Sequence, residues 1–154
     1  MARYRDPLTK DLFEWQPPKV AVGYSDDVIG RGRLDSKIAR LIGQALRDAR
    51  DEGLTRADIA KQMTEFLGRQ ISEAMLNKWS SESSEDHRIP LDAFIGLVHA
   101  TGATELLGFA PSEFGMTVIS EKYADVIRLQ MVRDKKQEID AMEKALMAKL
   151  RTGI

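Results

Sequence analysis

The chain has 154 residues, 43% of them apolar and 31% charged, with a formal net charge of −1 and no cysteine. That length supports one buried core with an appended element, and the apolar fraction excludes wholesale disorder. The missing cysteines exclude disulfides and thiolate metal sites, and near-neutrality excludes indiscriminate coating of nucleic acid while leaving room for a local basic face.

The first residues, Met1-Ala2-Arg3-Tyr4-Arg5-Asp6-Pro7, lack the apolar core of a signal peptide, and no apolar run approaches the roughly 20 residues of a membrane helix. A cytoplasmic protein with no membrane partner is expected. Charge is distributed unevenly. Residues 30–81 hold ten Arg or Lys against seven Asp or Glu, whereas residues 82–121 hold one against seven.

Residues 1–33 contain Pro7, Pro17-Pro18, Gly23, Gly30 and Gly32, with Phe13, Trp15 and Tyr24 among them. They read as an extended N-terminal arm whose aromatics dock on the protein's own core or on a partner. From Leu34 the apolar residues Ile38, Leu41, Ile42, Ala45, Leu46 and Ala49 recur at three- and four-residue steps. This spacing predicts a first helix with Asp35 or Ser36 as N-cap, ending near Gly53. Thr55 with Asp58 makes a partial capping box for a second helix from about Arg56. Ile59, Ala60, Met63, Phe66 and Leu67 form its apolar face, and Gly68 is placed to end it.

Gly68-Arg69-Gln70 is the expected turn, after which Ser72 caps a third helix. Met75, Leu76 and Trp79 face inward on that helix, and Glu73, Ala74, Asn77 and Lys78 face outward. Residues 80–88 are polar and aperiodic and read as a mobile surface loop. Pro90 at an N1 position opens a fourth helix closed by Thr101-Gly102, and Leu106, Leu107 and Phe109 add a short turn.

Residues 117–150 contain neither Gly nor Pro and predict one long C-terminal helix. Val132, Ile139 and Leu146 repeat at seven-residue intervals, with Lys135 and Lys149 interrupting the second seam position. This spacing supports a short coiled coil that dimerises or a helix that folds back. The expected organisation is an arm over 1–33, a helical domain over 34–110 and the long helix over 117–154.

Ala60, then Ile71-Ser72, Leu76 and Trp79, resemble the lambda-repressor-like helix-turn-helix DNA-binding family, and the arm, helices and tail together look like small regulators of phages and prophages. The resemblance implies an all-α fold. It would be a four-to-five-helix lambda-repressor-like helix-turn-helix domain with an extended N-terminal arm and a long C-terminal helix. It departs from the family in its connection, because ten residues, Lys61 to Gln70, separate Ala60 from Ile71 where about four are usual.

The implied function is sequence-specific binding of double-stranded DNA by a transcriptional regulator. A homodimer formed through the C-terminal helix would address two half-sites about one helical turn apart. On the outward face Asn77 would read adenine or bridge to phosphate, Glu73 would accept from cytosine N4, Ser72 would meet a phosphate and Lys78 the backbone. Arg69 and Gln70 in the turn are further contacts, with Arg56 and Lys61 as secondary phosphate candidates. Arg31 and Arg33, in Gly30-Arg31-Gly32-Arg33, are placed to enter a minor groove.

Nothing in the sequence marks a catalytic pair, a metal site, a cofactor site or a small-molecule substrate site. His87 and His99 have no metal-ligand spacing, and the Gly-Arg repeat lacks the strand and Lys-Ser or Lys-Thr ending of a phosphate loop. The alternative to DNA binding is a protein-binding adaptor or inhibitor on the same scaffold, with the arm and the tail as its working surfaces.

Overall fold

The structure is a computed structural model that describes residues 20–21, 23–84 and 86–153. In chain order the elements are β1 (Val20–Ala21), α1 (Asp26–Ile29), α2 (Leu34–Asp51), α3 (Arg56–Leu67), α4 (Glu73–Trp79), α5 (Leu91–Thr101), α6 (Leu106–Ser112), β2 (Val118–Ile119) and α7 (Glu121–Arg151). The described fold is therefore almost entirely helical, with β1 and β2 forming a two-stranded sheet. Among the described residues no helix is long and apolar enough to cross a membrane. Contacts divide the chain into two units, one spanning 21–118 and the other containing α7.

The apolar stripe of α2 supplies Leu41, Ile42, Ala45 and Leu46 to the core of the 21–118 unit. Ile59 and Met63 of α3, Leu76 of α4, Leu97 of α5 and Leu106 of α6 meet them there, each fully or almost fully buried. α5 packs along α3, and Gly96 lies at that crossing. A Cβ at Gly96 would come within 3.0 Å of Leu67 Cδ1, so the absence of a side chain lets the two helices approach.

The start of α2 differs from the sequence reading. The helix begins at Leu34 with Arg33 in the cap position and no side-chain cap bond. Asp35 is occupied otherwise: it accepts from the Ser36 amide at 2.8 Å and pairs with Arg33 at 2.9 Å and Arg88 at 2.6 Å. Partial desolvation pushes the Asp35 carboxyl up, but the Ser36 amide and the two guanidiniums together hold it below its ordinary value.

The capping box at α3 is complete although Asp stands where Glu or Gln is usual. Thr55 Oγ1 accepts from the Asp58 amide at 3.1 Å, and Asp58 Oδ2 accepts from the Thr55 amide at 3.0 Å. The Thr55 hydroxyl also donates to Asp58 Oδ2 at 2.6 Å, and these bonds hold the Asp58 carboxyl below its ordinary value. A carboxylate with a lowered folded-state pKa contributes stability above its unfolded pKa of about 4 and loses it as pH falls through the lower folded value. Thr55→Ala is therefore expected to cost about 1 kcal/mol in urea unfolding at neutral pH. The difference from the parent chain should shrink as pH is lowered below about 4; a difference independent of pH would remove Asp58 from the cap.

The ten residues between Ala60 and Ile71 are mostly helix. α3 continues through Leu67, and Gly68 closes it in the left-handed conformation at φ +66°. The connection to α4 is left with Gly68 to Ser72 only.

Several other expectations shift. Asp26–Ile29 forms one helical turn where extended arm was expected, and Tyr24, Val28 and Ile29 pack against the core. The Tyr24 hydroxyl donates to Asp48 Oδ2 at 3.2 Å, and burial together with the Asp48 charge pushes the phenol well above its ordinary pKa. Residues 1–19 and 22 of the expected arm, Phe13 and Trp15 among them, lie outside the described residues. Of the 80–88 loop, Glu82 pairs with Arg40, and Arg88 pairs with Asp35 while donating to the Ser84 carbonyl at 2.8 Å, so these described residues are tied to the domain; residue 85 lies outside the described residues. Pro90 occupies the cap position of α5, not N1. The short turn expected at 106–109 is the two-turn helix α6, and α7 starts at Glu121 because Val118–Ile119 is extended.

Candidate nucleic-acid interface

α4 has only seven residues, too few to hold a helix alone in water, so its orientation comes from its ends and its buried face. At its start Ser72 Oγ accepts from the Met75 amide at 3.3 Å. One residue earlier, the Ile71 amide donates to Thr64 Oγ1 at 2.9 Å, while that hydroxyl donates to the Ala60 carbonyl at 2.8 Å. A side chain of α3 thus clamps the entry to α4. Ile71, Leu76 and Trp79 are buried, and Glu73, Ala74, Asn77 and Lys78 form the opposite, exposed face.

The open side of α4 faces a basic group drawn from three places in the sequence. Arg47 and Arg50 from α2, Thr55 and Arg56 at the start of α3, and Glu73 of α4 line a shallow hollow of about 280 Å³. Gln44 Oε1 accepts from Arg47 Nη2 at 2.8 Å and positions that guanidinium. Arg56 donates to Asn77 Oδ1, which links the hollow to the exposed face of α4. Arg50 lies 3.9 Å from Asp51, with both side chains about three-quarters exposed, a pair worth little in water. The ion pairs among the described residues do not include Arg47 or Arg56. The lining holds three guanidiniums and one carboxylate, a positive excess that Asp51 beside Arg50 and the capping Asp58 carboxylate at the start of α3 partly offset.

The expected site residues fall into two groups. Glu73, Asn77 and Lys78 share the exposed face of α4 with Ser72 at its start, and Glu73 and Asn77 are joined to the arginine cluster. Asn77 presents its amide with Oδ1 already accepting from Arg56, so its NH2 is the end left to donate. Ser72 Oγ is occupied as an acceptor and retains its O–H for donation.

Arg69 stands apart from that cluster in its pairing: its Nε donates to Asp92 Oδ2 at 3.0 Å, and that bond holds the Asp92 carboxyl below its ordinary value. Gln70 is exposed beside it. Arg31 is exposed, and its carbonyl accepts from Arg40 Nη2 at 2.7 Å, which ties the backbone of the Gly-Arg segment to α2. Arg33 pairs with Asp35 and lines a different hollow with His87 and Arg88.

Arg47 and Arg50 were not legible as site residues in the sequence, where they stand as two charges at the polar side of a helix. Only the packing of α2 against the rest of the unit brings them to α4. Among the described residues no group of three or more His, Asp or Glu side chains is arranged to hold a metal ion. The ring of His99 stacks on Phe66 at 4.1 Å, which accounts for the exposed Phe66 that the sequence placed on an inward face. Comparison of the chain with protein-family models, with curated proteins and with solved structures finds no match.

Proposed function

We propose that the chain binds double-stranded DNA sequence-specifically, with α3 and α4 as the two helices of a helix-turn-helix and α4 in the major groove. The observation that carries this reading is the exposed Glu73, Ala74, Asn77 and Lys78 face bordered by Arg47, Arg50 and Arg56. In the mechanism, the three guanidiniums take backbone phosphates and set the register, while Asn77 and Glu73 meet base edges. Release or sharing of the Arg56 bond frees Asn77 Oδ1 for the two-point recognition of adenine. The wider reading is a transcriptional regulator of the phage or prophage type that the sequence resembles.

The test is selection of bound duplexes from a random pool at about 0.1 M salt, repeated with an Asn77→Ala, Lys78→Ala double variant. Enrichment of one motif by the parent chain and its loss in the variant are the expected results. Absence of any enriched motif in the parent chain would reject the reading.

A second reading, a protein-binding adaptor, draws on an apolar groove in the same unit. Leu34, Leu91, Phe94 and Phe114 line it, and Leu91 and Phe114 are among the most exposed apolar side chains. On that reading the Asn77→Ala, Lys78→Ala variant keeps full activity and substitution of Leu91 or Phe114 removes it.

A further inference from the structure

α7 carries large apolar side chains without cover. None of its residues is buried, and Val132, Ile139, Met142 and Leu146 are 53–64% exposed. A helix of 31 residues in water draws most of its stability from a packed face rather than from intrinsic propensity. Val132, Ile139 and Leu146 occupy one seam position, and Lys135, Met142 and Lys149 occupy the other.

We propose that α7 pairs with α7 of a second copy of this chain, in the antiparallel orientation. The charges select that orientation. A parallel, in-register pair would stack Lys135 on the partner's Lys135 and Lys149 on the partner's Lys149, and would set Glu138 against the partner's Glu143. An antiparallel pair centred between Asp140 and Ala141 removes all three conflicts. Ile139 then meets the partner's Met142, Val132 the partner's Lys149 and Lys135 the partner's Leu146.

Each lysine stem lies over an aliphatic side chain while its ammonium reaches water. Lys135 is already turned that way, with Nζ 2.8 Å from Glu138 Oε2 on the flank of the seam. On the other flank Lys136 opposes the partner's Glu143, twice by symmetry, and Leu129 opposes the partner's Leu150.

The pairing rests on α7 alone and holds whether or not the 21–118 unit binds DNA. It sets the first residues of the two α7 helices about 58 Å apart, from a rise of about 1.5 Å per residue. That exceeds the roughly 34 Å between adjacent half-sites that a symmetric tail was expected to serve.

The test is sedimentation equilibrium of the full chain with two charge variants. The parent chain is expected to be a dimer of twice 17.3 kDa. Glu143→Lys should weaken it by roughly fivefold, since two attractive flank pairs become repulsive, and Lys136→Glu added to Glu143→Lys should restore it. In the parallel orientation Glu143→Lys would tighten the dimer, because Glu138 would gain an opposite charge.

The chain has no cysteine, so a mixture of Ile139→Cys and Met142→Cys chains gives an independent readout. The mixed disulfide is expected on oxidation; homodisulfides alone, a tighter Glu143→Lys dimer, or a parent chain that stays monomeric would each overturn the proposal.

Discussion

Leu76→Ala is expected to lower the stability of the 21–118 unit by about 3 kcal/mol, read as a reduced midpoint in urea with an unchanged slope. Leu76 is fully buried on a helix of two turns, so its loss leaves a cavity that so short an element is poorly able to close. The substitution has a second consequence. With Ile71 and Trp79 it forms the inner face that fixes which side of α4 is presented, so weakening it loosens the exposed face as well. Asn77→Ala, three-dimensionally on the opposite side, should change stability by less than about 0.5 kcal/mol. A cost below about 1 kcal/mol for Leu76→Ala would mean that α4 does not dock through this face.

Combined replacement of Arg47, Arg50 and Arg56 by Ala is expected to weaken binding to every duplex, on the order of 100-fold at low salt. The slope of log K against log salt should flatten by close to three, since each phosphate contact contributes about 0.9. Anisotropy titrations across a salt series measure both quantities. An unchanged slope would take the arginine cluster out of the proposed interface even if affinity fell. Arg69→Ala should have a smaller effect, because Asp92 already holds that guanidinium and a phosphate must compete for it. Base preference should follow Asn77 and Glu73 and survive the arginine changes.

The helices that carry long apolar stripes were legible in the sequence because periodicity is a local property. Ile38 to Ala49 announced α2, and Thr55, Gly68, Ser72 and Gly102 marked ends that depend on one residue's hydrogen bond or backbone angle. α1 was not legible. Its four residues include two aspartates and lie between glycines, and what holds them is Arg40, whose Nε donates to the Ile29 carbonyl at 2.7 Å from eleven residues away.

The candidate site divides the same way. The outward residues of α4 follow from the spacing of Ile71, Leu76 and Trp79 alone. The convergence of Arg47, Arg50 and Arg56 required the fold, because no pattern within α2 states which of its polar residues will stand beside α4. Thr64 is a similar case: a hydroxyl in mid-helix reads as an ordinary surface residue until the Ile71 amide is found on it.

The burial of Trp79 has a spectroscopic consequence. Its indole is 7% exposed at the end of α4, within the core of the 21–118 unit. The chain's other tryptophan is Trp15, so a Trp15→Phe variant leaves one emitter, seated on the element that carries the proposed reading face. Its emission should lie to the blue in the folded unit and move to the red as α4 leaves the core. A single fluorescence trace then distinguishes detachment of α4 from melting of the other helices followed by circular dichroism.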